Sequence, residues 1–227
     1  MSKDIRPKNT IMAEEFYKNI QTLPIKVGSI NQAQQEFITT FLREHPEVKQ
    51  ILETGFHVGL SAATMLAVRP DIIVTSFDIF WFDYTRRAKI FLDIAYPGRN
   101  NLIAGNSINT LPTFFNTFPT YRPDFVFIDG GHERPIPYID LWYILNHVRP
   151  GTWVMIDDYC EEHGSQGVIE AVNTIIKDGI LIDVVGYKSY DRGWVFGKRS
   201  EVALAPTYLT KPESINALLR DTESHYS

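Results

Sequence analysis

Glu53-Thr54-Gly55-Phe56-His57-Val58-Gly59-Leu60-Ser61 is the stretch that decides the fold of this 227-residue chain. It follows a short strand candidate at 50–53 and leads into a helix-forming segment at 59–67. Strand, glycine-bearing turn and helix in that order open an α/β sheet, and such sheets bind ligands beyond the carboxyl ends of their strands. Gly55 permits a tight turn, and Gly59 lets a helix begin close to a ligand. The spacing is G-x-x-x-G. His57 stands where a dinucleotide site needs a glycine for close approach of a pyrophosphate. The loop therefore suits a nucleoside without a pyrophosphate. It suits equally a strand–turn–helix corner that uses its glycines for packing.

Working outward, the chain alternates. Strands are expected at 72–77, 101–104, 125–128 and 153–156, and helices at 82–96, 107–116, 136–147 and 164–177. Strands that read as unbroken apolar runs are buried on both faces, which requires a parallel sheet covered by helices. The last two strands, 180–187 and 193–196, are joined by Ser189-Tyr190-Asp191-Arg192 with no helix between them. They can pair only as an antiparallel hairpin at the sheet edge. Two helices, 10–23 and 31–43, precede the alternation, with Asn31 placed to cap the second. The expected fold is α/β: a doubly wound, mostly parallel seven-stranded sheet with helices on both faces and an antiparallel edge hairpin. The chain divides into a helical cap (1–47), a ligand-binding domain (48–198) and a tail (199–227) with one short helical piece at 213–220.

Composition narrows the function classes. Hydrophobic residues are 44 % and charged residues 22 %, the balance of a folded globular chain. The net charge of −5 runs against a protein that tracks phosphate backbones, so no nucleic-acid partner is expected. Cys160 is the only cysteine, which excludes an intramolecular disulfide framework and a multi-cysteine zinc site. The first eight residues are polar and mixed in charge, and the apolar runs are too short to span a bilayer. A cytoplasmic protein with no membrane partner is the expectation.

The loops after the strands carry the chemistry. Asp78 follows the second strand, nineteen positions beyond Gly59, where an acid accepts hydrogen bonds from ribose hydroxyls. Asn106 and Ser107 follow the third; an amide can pair with an adenine edge, and Ser107 is as well suited to capping the next helix. Asp129-Gly130-Gly131-His132 after the fourth strand places a carboxylate and an imidazole at one rim. Asp157 and Asp158 follow the fifth, directly behind an apolar run. Adjacent acids in a partly buried site repel, and a bound cation resolves the repulsion. Asp129, Asp157 and Asp158 suit a hard ion, Mg²⁺ or another divalent cation. Solvated capping acids are the alternative.

The succession E-T-G-F-H-V-G-L-S, F-D, G-N-S, F-I-D-G-G-H and M-I-D-D-Y resembles class I S-adenosylmethionine-dependent methyltransferases over about residues 48–198. Within them it is similar to the small metal-dependent O-methyltransferases, in the branch of macrolide-sugar O-methyltransferases and cephalosporin-hydroxylase-like proteins. The resemblance implies a Rossmann-like methyltransferase fold with S-adenosylmethionine as cofactor. It implies cofactor contacts from Glu53, Gly55, Gly59, Ser61, Asp78, Asn106, Ser107 and Asp129, and metal carboxylates at Asp129, Asp157 and Asp158. His132 matches the residue that acts there as general base. The expected reaction is O-methylation of a small hydroxylated molecule, a sugar or a catechol-like ring, assisted by Mg²⁺. Two rivals stand beside it. One is a non-catalytic nucleoside-binding subunit, which intact His132 and three acids speak against; the other is an NAD-dependent oxidoreductase, which His57 disfavours. The N-terminal helices and the tail are expected to cover the acceptor or to form a homo-oligomer contact.

Overall fold

The structure is a computed structural model and describes residues 11–24, 29–161, 165–189 and 192–204. In chain order the elements are α1 (Ile11–Ile20), α2 (Gln32–Glu44), β1 (Gln50–Thr54), α3 (Leu60–Val68), β2 (Ile73–Asp78), α4 (Asp83–Ala95) and β3 (Asn100–Ala104). They continue with α5 (Ser107–Thr117), β4 (Phe125–Ile128), α6 (Ile136–His147), β5 (Trp153–Ile156), α7 (Gln166–Lys177), β6 (Leu181–Ser189) and β7 (Arg192–Arg199). The predicted helical piece at 213–220 and the connector residues 190–191 lie outside the described residues.

The strands form one seven-stranded sheet in the order β3-β2-β1-β4-β5-β7-β6. β1 pairs parallel with β2, and β2 parallel with β3. β7 runs antiparallel to both β5 and β6. This is the expected doubly wound sheet with its antiparallel edge. Strands β1, β2 and β4 are buried along nearly their whole length; β4 is an unbroken apolar run, whereas β1 and β2 bury Glu53, Thr54, Thr75 and Ser76 as well. β6 is different: most of its residues are exposed or half-exposed, and its register with β7 shifts between Ile182 and Val185. An irregular, partly polar strand is a usual way to blunt a sheet edge. Among the described residues no helix is long and apolar enough to cross a membrane.

The chain forms two compact units. The first holds the described residues up to Asn106 together with Pro123–Val126, and the second holds Ser107–Arg122 and the described residues from Phe127 onward. In the first, α2 packs on α3 and α1 on α4. Its helix α2 begins in a capping box: the Asn31 side chain accepts from the Gln34 N–H at 3.0 Å while Gln34 Oε1 accepts from the Asn31 N–H at 2.8 Å. Ile38, Leu42, Leu52, Met65 and Phe77 fill its core. In the second unit α6 packs on both α5 and α7, and Phe127, Ile144, Val154 and Val172 are buried.

Candidate functional site

The glycine loop belongs to the first unit, and its backbone is unusual. Gly55, His57 and Gly59 all adopt left-handed φ, at 88°, 50° and 71°. For His57 that conformation is costly and must be held by its surroundings. Three hydrogen bonds hold it. Its N–H donates to Asp78 Oδ2 at 2.8 Å, and its ring bridges Ser29 Oγ at 3.2 Å and Tyr84 Oη at 2.9 Å. Burial lowers the His57 pKa, and the Asp78 charge opposes the shift. Gly59 is required for two reasons. Its φ disfavours a side chain, and a Cβ there would lie 2.6 Å from the Phe56 ring. What the structure sets against Gly59 is thus the Phe56 ring.

Asp78 ends β2, half-exposed. Its Oδ1 accepts from the Phe80 N–H at 2.6 Å and its Oδ2 from the His57 N–H. A carboxylate offers about four acceptor positions, so two backbone donors leave capacity for a diol. The donor set fits a ribose. Glu53 and Ser61, by contrast, turn inward and find each other. The Ser61 hydroxyl donates to Glu53 Oε2 at 2.8 Å and the Ser76 hydroxyl to Oε1 at 2.6 Å. Asn100 Nδ2 extends this buried chain by donating to Ser76 Oγ at 2.7 Å. Burial pushes the Glu53 carboxyl up to about 7; the serine hydroxyls pull it down, and the Asp78 charge adds to the rise. Asn106 lies half-buried in this unit.

The second unit carries the carboxylates and the imidazole. Ser107 is the first residue of α5 and half-buried. The tips of β4 and β5 are tied by the Asp157 N–H, which donates to the Ile128 carbonyl at 2.9 Å. Around them a pocket is lined by Asp129, His132, Asp140, Asp157 and Asp158 together with Ile128, Leu141 and Val168. Asp140, Asp157 and Asp158 are all buried. Asp129, His132 and Asp158 bring one donor atom each within 4.8 Å of one another. Two carboxylate oxygens and one imidazole nitrogen are a donor set that a divalent cation accepts. This trio differs from the three acids expected from the sequence. His132 belongs to it, whereas Asp157 does not. Asp158 has a left-handed backbone, φ 57°, so the two adjacent acids leave the chain along different courses.

His132 Nε2 lies 2.6 Å from Asp158 Oδ2. That hydrogen bond raises the His132 pKa, burial opposes it, and the charges of Asp158 and Asp157 add to the rise. Asp158 has a second partner that the sequence did not reveal. Arg192, at the start of β7, donates from Nη1 to Asp158 Oδ1 at 3.0 Å. Thirty-four positions separate the two residues. Only the pairing of β7 with β5 brings them together, and no local motif marks Arg192. Tyr84, Ser76 and Asn100 were missed for the same reason.

A sheet of this order, a glycine turn after β1, an acid ending β2 and a carboxylate–imidazole cluster after β4 and β5 define a class I methyltransferase fold. A family model for a methyltransferase domain matches residues 52–159. The chain is similar in structure to an O-methyltransferase from Bacillus cereus solved with S-adenosylhomocysteine: TM-score 0.70, 16 % identity, 87 % of this chain and 94 % of that one. It is similar to the O-methyltransferase TomG from Streptomyces achromogenes, solved with S-adenosylmethionine and involved in tomaymycin synthesis: TM-score 0.64, 19 % identity, 85 % and 91 % covered. An S-adenosylhomocysteine-bound methyltransferase from Podospora anserina gives a TM-score of 0.66 at 17 % identity, with 85 % and 89 % covered. No curated protein matches the sequence significantly. The chain shares the fold of these methyltransferases, and its residues 52–159 match a methyltransferase domain.

Proposed function

We propose that the chain is an S-adenosylmethionine-dependent O-methyltransferase acting on a hydroxyl of a small molecule, a sugar or a catechol-like ring, in the cytoplasm. The observation that carries this reading is His132. Its Nε2 is committed to Asp158, and its side chain is 38 % exposed. Among the described residues Nδ1 has no partner. Imidazole anchored at one nitrogen and open at the other is the arrangement of a general base, with Asp158 fixing the tautomer and stabilising the imidazolium that forms.

S-adenosylmethionine supplies a methyl group already activated on a sulfonium. The glycine turn and Asp78 would hold its nucleoside through backbone shape and ribose hydrogen bonds. Bound there, it would supply that methyl group to an acceptor hydroxyl in line as the carbon–sulfur bond breaks, and His132 Nδ1 would take the proton of the hydroxyl. The products are the methyl ether, S-adenosylhomocysteine and an imidazolium paired with Asp158. A divalent ion, Mg²⁺ by preference, would lower the pKa of the acceptor hydroxyl, with Asp129, Asp157 and Asp158 as the carboxylates that would hold it. Residues 1–47 and 199–227 are the segments expected to select the acceptor.

Calorimetric titration tests the donor. S-adenosylmethionine and S-adenosylhomocysteine should both bind, and NAD should not. A labelled-methyl assay over catechols and sugars then tests the acceptor class. Binding of NAD without binding of the sulfonium nucleoside would overturn the reading. Nucleoside binding with no transfer to any hydroxylated acceptor would turn it into that of a binding subunit.

A further inference from the structure

A buried ionised acid needs a compensating charge, and the sequence alone points to a divalent ion for Asp129, Asp157 and Asp158. Within the second unit, the chain supplies a cation of its own. Asp158 is 1 % exposed. One of its oxygens meets the Arg192 guanidinium at 3.0 Å and the other meets His132 Nε2 at 2.6 Å. We infer that Arg192 is the resident cation of this cluster: it holds Asp158 as the support of His132 and lowers the affinity of the cluster for a divalent ion.

The placement of Arg192 is built into the backbone. The Tyr159 N–H donates to the Gly193 carbonyl at 2.8 Å, which fastens the start of β7 to the loop that carries Asp158. Gly193 has no room for a side chain, since a Cβ there would lie 2.4 Å from the Tyr159 carbonyl oxygen. Close backbone approach on the residue next to Arg192 fixes where its side chain starts. Asp158 in turn holds a left-handed conformation, φ 57°, which aspartate tolerates better than most residues. The Arg192 side chain is only 19 % exposed, so solvent screens the pair weakly.

A divalent ion bound to Asp129, His132 and Asp158 would have to take Asp158 from two nitrogen partners and sit close to a fixed positive charge. Both effects oppose binding. Arg192 is therefore a positioning residue for His132 and a determinant of metal affinity. The role for His132 rests on the methyl-transfer reading, but the metal affinity does not.

The test is titration of the full chain with Mn²⁺, followed by the electron paramagnetic resonance signal of the free ion. Arg192→Gln removes the charge and should bind Mn²⁺ about tenfold or more tightly than wild type. Arg192→Lys keeps a charge on a shorter reach without the fork and should fall between them. The expected order of affinity is Gln, Lys, wild type. A merely structural arginine would give the reverse, because a damaged cluster binds metal less well. Wild type binding at least as tightly as both variants would overturn the inference; should Arg192→Gln fail to fold in a thermal melt, the Lys variant against wild type decides it. S-adenosylhomocysteine is titrated separately. Its failure to bind wild type would remove the methyl-transfer reading and leave the Mn²⁺ order intact.

Discussion

Glu53 and Asp158 are both carboxylates with almost no solvent exposure, 0 % and 1 %. The two units answer that burial in opposite ways. Glu53 is met by two hydroxyls, from Ser61 and Ser76, and its pKa rises to about 7. Asp158 is met by a guanidinium and an imidazole. Dipoles compensate a buried acid only in part, so much of the cost is avoided by keeping a proton. Full opposite charges compensate it directly, and the acid becomes part of a network that can act on a third group. Burial alone thus does not say whether an acid is structural or chemical; the kind of partner does.

The largest expected effect comes from breaking the charged side. His132→Ala should lower kcat by roughly 10²–10⁴-fold, the usual contribution of a general base. S-adenosylhomocysteine affinity should hold within about twofold, because the proposed nucleoside contacts, Gly55, Gly59 and Asp78, do not include His132. The same variant leaves the Asp158–Arg192 pair in place, so the fold should persist in a thermal melt. A kcat within about threefold of wild type on the true acceptor would reduce His132 to a structural residue.

That imidazole and Asp158 were legible in the sequence, and the guanidinium that also holds Asp158 was not. The strand tips, the glycine turn and the carboxylates after β4 and β5 are local patterns, each spelled out within a few residues. The strand β4, the helix α6 and the strand β5 fall at the boundaries that their apolar runs and Pro135 mark. Arg192 carries no such mark, because its role depends on the antiparallel pairing of β7 with β5. The inward turn of Glu53 was equally hidden. Its partner Ser76 is a neighbour only through the β1–β2 register, which sets Glu53 against Ser76. Sequence spacing locates strand tips well. It does not say which side of a strand a polar residue faces, nor which distant residue satisfies it.

The neutral side of the comparison is tested by pH. Glu53 ionises near 4.5 when unperturbed and near 7 in the folded protein. Between those values the folded state keeps a proton that the unfolded chain has released. Stability should therefore fall as pH rises from about 4.5 to about 7, and this contribution should level off above that. The full loss is on the order of 3 kcal/mol. Glu53→Gln cannot titrate, so its thermal midpoint should lack this descent while lying below that of the wild type at low pH, where one hydroxyl must reverse its hydrogen bond. Melting curves at half-unit pH steps decide the matter. Identical slopes for variant and wild type would mean that Glu53 stays ionised in the fold and that the two buried acids are alike.

The smallest effect sharpens the comparison through Asp78, the proposed ribose acceptor, whose charge also raises Glu53. Its two oxygens each accept one backbone N–H, from Phe80 at 2.6 Å and from His57 at 2.8 Å, and its charge helps to raise Glu53. Asp78→Asn keeps the shape, loses the charge and can accept only one of those donors well. The amide also offers a ribose one acceptor where the carboxylate offers two. Losing one to two net hydrogen bonds, each about 0.5–1.5 kcal/mol, should weaken S-adenosylhomocysteine roughly tenfold in a calorimetric titration. The second readout is independent of any ligand. Without the neighbouring charge the Glu53 pKa should move down, so the fall in stability with pH should end at a lower pH than in wild type. Weakened nucleoside binding with an unmoved pH profile would keep Asp78 as a ribose acceptor but remove it from the Glu53 balance. A moved profile with unchanged binding would do the reverse, and would leave the glycine turn alone to hold the nucleoside.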